Sequence, residues 1–220
     1  MAETVMAAAL VAYNAVLNRW PAFHGWGYVP VNLAAAGVLV AAGSLLGLSV
    51  DQMGLAPDAV GLLIGLAAGG ACGVPLLLVS GSRLSRLLAD RRAGEGLAWY
   101  RAAIRIPLGT ALFEEVAFRG VLLGLLFEYG RPAAVLVSSA VFGLWHVEPA
   151  RQMARINGRD PSATIAATVV FTAGAGVLFG WLRVTSGGIA LPTGLHAAVN
   201  VAAYLAGRRA LARHRVASPS

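Results

Sequence analysis

Six long apolar runs constrain the fold of this chain more than any other feature of its sequence. Each run approaches the roughly 20 residues that a straight helix needs to cross a bilayer. The runs therefore predict an all-α fold, a polytopic transmembrane bundle of about six to eight helices. They cover residues 31–50, 59–80, 104–127, 132–147, 164–182 and 189–206. An earlier apolar stretch, 5–17, is short for a span and could be a partial or interfacial helix.

The composition supports membrane embedding of the whole chain. Hydrophobic residues make up 58% of it and charged residues 12%, whereas about a quarter of the residues in ordinary soluble domains are charged. No Pro/Ser-rich linker or charge block divides the sequence, so we interpret residues 1–220 as a single integral membrane domain. The lipid bilayer is therefore its first expected partner.

The positive charge is distributed in a way that suits membrane orientation. The chain has a net charge of +7, and all of its basic residues are arginines. They concentrate in the segments after the second, fourth and sixth runs and form no single stripe, so no nucleic-acid partner is expected. With six alternating spans these segments lie on one side. The positive-inside rule then predicts a multi-pass cell-membrane protein with both termini in the cytoplasm.

Four glycines recur at intervals of four residues in the second run: Gly61, Gly65, Gly69 and Gly73. This period places all of them on one helical face, where the backbone of a neighbouring helix can approach closely. We interpret the stripe as a packing surface, with no role in chemistry.

Polar residues interrupt the C-terminal runs in three clusters, of which the first holds Glu114, Glu115 and Arg119. An ionisable residue inside a span costs at least about 2.5–3.5 kcal/mol on insertion scales, so such residues usually have a function. Glu115 and Arg119 are four residues apart on one helical face and can pair. Glu114 is rotated from Glu115 by about 100°, which makes it the freer base.

The other two clusters each place a histidine one helical turn from a second residue. Phe142 precedes His146 at the end of the fourth run, and His196 precedes Asn200 in the last run. Taken alone, these histidines would be interpreted as interfacial residues or as residues that form hydrogen bonds between helices. Together with Glu114 they supply a base, two imidazoles and an amide donor. Such a set suits activation of water and stabilisation of an oxyanion during amide hydrolysis.

In order along the chain, the clusters read Glu-Glu-x-x-x-Arg, Phe-x-x-x-His and His-x-x-x-Asn. The chain thereby resembles the CPBP family, the CAAX protease and bacteriocin-processing proteins, also called Abi or type II CAAX prenyl endopeptidase-like. The resemblance covers about residues 104–206 and implies a helix bundle with a catalytic cavity on its cytoplasmic side. It also implies an intramembrane endopeptidase whose partner is a peptide or membrane-protein substrate, membrane-associated or of the prenylated type.

The resemblance implies three roles for six catalytic-site residues. The roles are water activation by Glu114 and His146, oxyanion stabilisation by His196 and Asn200, and support of the site by Glu115 and Arg119. The family is often labelled metalloprotease, yet the chain lacks the His-Glu-x-x-His helix that is typical of zinc proteases. A zinc-dependent mechanism and a metal-free glutamate mechanism are therefore both open, and the sequence does not reveal the oligomeric state.

Two functions from other classes compete with the endopeptidase. A non-catalytic membrane scaffold or immunity-type protein of the same fold would keep the motifs for helix packing. A proton-coupled transporter is suggested by the intramembrane Glu, Arg and His residues. Such carriers are expected to show matching broken helices in both halves of the chain, however, and the polar residues here occupy only the second half. The endopeptidase is therefore preferred.

Overall fold

The computed structural model describes residues 1–19, 25–94 and 96–217. Within these ranges it contains seven α-helices of eleven or more residues, one further helix of mixed type, and no strand. We number the eight helices in chain order. They are α1 (Ala2–Arg19), α2 (Tyr28–Leu45), α3 (Ala59–Ser80), α4 (98–129), α5 (Arg131–Trp145), α6 (Val147–Asn157), α7 (Pro161–Ser186) and α8 (Ala190–Ala217). The predicted all-α bundle of six to eight helices is confirmed.

Four helical stretches of the described chain are long and apolar enough to cross a membrane: α2, α3, the combined stretch of α5 and α6, and α7. The predicted runs 104–127 and 189–206 fall in α4 and α8, which are not among the four. These two helices carry the clusters of Glu114 and His196, so their sequences are less apolar. Residues 111–124 of α4 are almost all buried. The polar residues are therefore enclosed by the other helices.

Helix α4 departs from regular α-helical geometry on both sides of the predicted base. It is π-helical over Arg101–Leu112 and again over Glu115–Leu122. The π-helix is rare in proteins and occurs frequently at functional sites. Here the two π segments flank Glu114.

Three glycines of the stripe on α3, all but Gly61, pack against α8. This is the most extensive contact between two helices of the bundle. A Cβ on Gly65 would overlap the carbonyl oxygen of Leu191, and a Cβ on Gly69 would lie 2.8 Å from the Cβ of Ala198. The absence of side chains on α3 thus lets the two backbones approach closely. This contact fixes the position of α8, which carries one of the polar clusters.

Replacing Gly69 by Val is expected to destabilise the bundle by about 1–3 kcal/mol, because the new side chain overpacks the contact between α3 and α8. The measurement is the unfolding midpoint of the purified protein in detergent. Gly70→Val is the matched control, since a Cβ at Gly70 meets nothing within 4 Å. Equal midpoints for the two variants would contradict the packing role of the stripe.

Arginine-rich parts of the chain meet at one end of the bundle, which we call the arginine-rich end. Residues 83–94, which follow α3, contain two short 3-10 helices. Arg208 of α8 donates a hydrogen bond of 3.2 Å to the carbonyl oxygen of Ala93. Arg159, between α6 and α7, donates one of 3.2 Å to the carbonyl oxygen of Ala89. These contacts agree with the predicted grouping of the arginines on one side; that this side is cytoplasmic stays a prediction.

Helix α1 extends along the bundle from one end to the other, a point that the sequence left open. Near its start, Glu3 accepts a hydrogen bond of 2.9 Å from the hydroxyl of Tyr129, at the C-terminal end of α4, which is remote from the arginine-rich end. Near its end, Asn14 donates a hydrogen bond to the carbonyl oxygen of Trp145. The sequence placed both termini in the cytoplasm by counting six spans and left α1 open, and that orientation stays a prediction.

Candidate active site

A cavity of about 1030 Å³ lies at the arginine-rich end, with walls that include parts of α1, α4, α5, α6 and α8. Three of the six predicted site residues line it: Glu114, His146 and Asn200. The other three do not line it and are almost completely buried, with exposed fractions of 0% for Glu115, 1% for Arg119 and 5% for His196. The structure thus divides the predicted site into a cavity wall and a buried support.

His196 lies between the two neighbouring carboxylates. Its Nδ1 is 2.9 Å from Oε1 of Glu115, and its Nε2 is 3.6 Å from Oε2 of Glu114. An ionised carboxylate can only accept hydrogen bonds, so Nδ1 carries a hydrogen when Glu115 is ionised. The separation of 3.6 Å is too long for a hydrogen bond. Nε2 therefore faces Glu114 without being bonded to it.

Arg119 is enclosed by a carboxylate and two aromatic rings. Its Nη1 is 3.3 Å from Oε1 of Glu115, which confirms the predicted pair. Its guanidinium carbon lies 4.1 Å from the ring centre of Phe142 and 5.2 Å from that of Phe179, within the range of cation–π attraction. Phe179 also stacks on the imidazole of His196, with ring centres 4.9 Å apart. The two phenylalanines thus hold both Arg119 and His196 in place.

The two carboxylate oxygens of Glu114 have different surroundings. Oε1 accepts a hydrogen bond of 3.1 Å from the indole N–H of Trp145. Oε2 is buried and has no hydrogen-bond partner. A buried carboxylate oxygen without a partner is costly. Oε2 of Glu114 is therefore the oxygen that is available to take a proton.

His146 lies at the junction of α5 and α6, on the wall of the cavity. Its Nδ1 is 2.8 Å from the carbonyl oxygen of Phe142. A carbonyl oxygen only accepts, so Nδ1 carries the hydrogen, and Nε2 of the neutral ring is a free base. No hydrogen bond or ion pair joins His146 to Glu114, both of which the structure describes. The two residues that were predicted to activate water thus line one cavity but are not bonded to each other.

Sequence reasoning missed three residues that contact the site: Trp145, Phe179 and Asn14. Trp145 could have been noticed, since it directly precedes His146 and its N–H needs an acceptor when buried. Phe179 and Asn14 stand in the helices α7 and α1 without any motif around them. Nothing in their spacing connects them to the three polar clusters.

The donors of the site do not fit a zinc centre. Zinc in proteases usually takes three protein ligands. No group of three or more His, Cys, Asp or Glu side chains in the described part of the chain is arranged to hold a metal ion. Nδ1 of His196 and the guanidinium of Arg119 both already contact Oε1 of Glu115. We therefore derive no catalytic step through a metal.

Residues 87–93, a segment at the arginine-rich end, form part of the cavity wall and are held there by Asp90. Asp90 accepts hydrogen bonds of 2.7 Å from Arg92 and of 3.0 Å from Asn157 of α6. The backbone N–H of Arg91 in turn donates to Oδ1 of Asn157 at 3.0 Å. Burial raises the pKa of Asp90, but the hydrogen bonds and charge of Arg92, with the hydrogen bond from Asn157, outweigh it and lower the pKa below its ordinary value.

Asp90→Asn is expected to loosen this segment at pH 7 and to speed amide hydrogen exchange in residues 87–93 about two- to fivefold, as for loss of a partly exposed ion pair. Since folding lowers the pKa of Asp90, its stabilising effect is complete above the unfolded pKa of about 4 and is lost as the pH falls through the folded pKa. The difference between variant and parent should therefore vanish at low pH. Asp51→Asn, an exposed carboxylate elsewhere, is the control. Equal exchange of parent and Asp90→Asn at pH 7 would contradict the role of Asp90.

Comparison with known families supports the predicted resemblance. Residues 97–202 match the family model described as type II CAAX prenyl endopeptidase Rce1-like. The matched segment runs from just before α4 into α8 and contains all six predicted site residues. No curated protein and no solved structure matches the chain.

Proposed function

Through residues 97–202 this chain belongs to the Rce1-like family of type II CAAX prenyl endopeptidases, and on that premise we propose that it is an intramembrane endopeptidase with a glutamate-activated water. One observation carries the proposal. A base with an unpartnered oxygen, a histidine and an amide line one cavity, in the residues Glu114, His146 and Asn200. The arginine-rich end, where the cavity lies, would face the cytoplasm.

In the proposed first step, Oε2 of Glu114 accepts a proton from a water molecule while the water oxygen attacks the carbonyl carbon of the scissile peptide bond. The carbonyl π electrons move to its oxygen, which becomes an oxyanion. The amide N–H of Asn200 donates to this oxyanion, and so does Nε2–H of His196 when its ring is protonated. The support for Asn200 is its position on the cavity wall. The support for His196, which is buried behind the wall, is the contact of its Nδ1 with Glu115, which directs Nε2 toward Glu114.

In the proposed second step, the carbon–nitrogen bond breaks and the leaving nitrogen takes up a proton. The proton that Glu114 received from water can return to this nitrogen, so that no net proton is consumed. His146 is the second group that can exchange protons in the cavity, because its Nε2 is free. The products are a new carboxyl terminus and a new amino terminus.

The proposed substrates are peptide segments of membrane-associated proteins, with or without a prenyl group. The support is the position of the cavity in a helix bundle that includes four membrane-capable stretches. A substrate that is anchored in the same bilayer would reach the cavity by diffusion in two dimensions.

The test compares new protein termini in membranes of cells that produce either the parent chain or Glu114→Gln. We expect termini that occur only with the parent and that map to membrane-associated proteins. Peptides around such a site, made with and without a prenyl group, then define the substrate with purified protein, in the presence and absence of a chelator. Identical termini in the two samples would contradict the proposed endopeptidase function and favour a non-catalytic scaffold.

A further inference from the structure

We infer that Trp145 is a positioning residue that holds the carboxylate of Glu114 in its reactive orientation, and that α1 holds Trp145 in turn. The inference rests on the proposed function, because it assigns a role toward the proposed base. It also extends the site to α1, which lies outside the segment 97–202 that matches the family.

The contact between Trp145 and Glu114 selects one carboxylate oxygen. The indole N–H of Trp145 donates to Oε1 at 3.1 Å, while Oε2 has no hydrogen-bond partner. An indole can donate one hydrogen bond and accept none. It can therefore fix the carboxylate without competing for the proton that the carboxylate must take up. Both side chains are buried, with exposed fractions of 4% for Trp145 and 6% for Glu114, so water does not replace this donor freely.

Helix α1 fixes Trp145 from one side. Asn14 donates a buried hydrogen bond of 2.5 Å to the carbonyl oxygen of Trp145. The ring of Tyr13 stacks on the indole, with centres 6.4 Å apart and planes 18° apart. The hydroxyl of Tyr13 donates to Oδ1 of Asn32 at 3.1 Å, which ties this ring to α2. Two successive residues of α1 thus hold the backbone and the ring plane of Trp145.

Helix α4 also packs against the indole. Phe113 packs against it with ring centres 5.8 Å apart, and Phe118 meets it edge to face at 5.5 Å. These rings belong to the same helix as Glu114 and flank it in sequence. Because aromatic faces surround the indole, it cannot rotate away without disrupting the packing around it. The direction of its N–H, and hence the orientation of the Glu114 carboxylate, is set by the fold.

A purely structural tryptophan would also be buried and hydrogen-bonded, so the test must separate the N–H from the packing of the ring. Trp145→Phe keeps an aromatic ring and removes the donor. We expect kcat on the substrate peptide to fall roughly tenfold or more, in line with a hydrogen bond to a charged group, while KM stays within about twofold. Trp181→Phe is the matched control, because Trp181 is 57% exposed on α7. An unchanged kcat in folded Trp145→Phe would overturn the inference.

A second measurement does not depend on cleavage. Tryptophan labelled with ¹⁵N gives one indole N–H resonance per residue, and the resonance of Trp145 is the one lost in Trp145→Phe. We expect this resonance to move when Glu114→Leu removes the acceptor, while that of Trp181 stays in place. A resonance of Trp145 that does not move would show that its N–H does not bond Glu114, and would overturn the inference.

The two measurements also separate this inference from the proposed function. If the parent cleaves its substrate and Trp145→Phe cleaves it equally well, the endopeptidase function is supported and the positioning role of Trp145 is contradicted. If parent and Glu114→Gln give the same termini while the indole resonance moves as expected, the contact is real but the site is not a protease, and the inferred role falls with the proposed function.

Discussion

Glu114→Gln is expected to lower the rate of peptide cleavage about a thousandfold while the fold stays intact. A general base contributes about a hundredfold to ten thousandfold to the rate, and an amide cannot take a proton from water. Gln keeps the size of the side chain and an oxygen that can accept from Trp145, so the packing should survive. The measurement is kcat on the identified peptide in liposomes, together with the unfolding midpoint of the purified variant.

Glu128→Gln is the matched control for this result. Glu128 lies on the same helix, α4, but is exposed near the C-terminal end of that helix and does not line the cavity. Its replacement removes the same charge outside the cavity, so cleavage should proceed at the parental rate. A folded Glu114→Gln protein that cleaves as fast as the parent would show that Glu114 is not the base.

The sequence predicted the parts of the fold that depend on one helix at a time. Apolar runs marked most of the helices, because a bilayer selects long apolar segments. The four-residue spacing of Glu115 and Arg119 predicted their ion pair, and the glycine period predicted the face of α3 that packs against another helix. Each of these predictions needed only helical geometry.

Relations between helices could not be read from spacing. The sequence joined Glu114 to His146, but the structure places His196 beside both carboxylates. The position of α8, which carries His196, depends on the close contact of α8 with α3. That partnership cannot be inferred from α8 alone. The sequence thus identified both His146 and His196 as site residues. It could not show that His146 lines the cavity while His196 is buried behind the cavity wall.

The contacts of helix α1 are a second example of relations between helices that the sequence could not show. Its short apolar stretch gave no sign that Asn14 and Leu17 would line the cavity, or that Asn14 would bond the backbone of Trp145. An Asn in an apolar helix has many structural uses. Only the folded chain shows that its partner residue contacts the proposed base.

Arg119→Met is expected to destabilise the protein by about 3–5 kcal/mol, because it leaves a buried carboxylate without its cationic partner. Glu115 is completely buried, and His196 would be its remaining close partner. The measurement is the unfolding midpoint in detergent with the yield of folded protein. Arg131→Met, which removes an exposed arginine at the start of α5, is the control and should unfold like the parent.

The double variant Glu115→Met with Arg119→Met separates stability from activity. Replacing both members of a buried ion pair by apolar residues of similar size often restores stability, so this variant should unfold much closer to the parent than Arg119→Met does. Its cleavage should remain at least about a hundredfold slower, because Nδ1 of His196 loses the carboxylate that orients the ring. Parental activity in the double variant would mean that Glu115 and Arg119 serve the fold alone, and that His196 needs neither of them to act.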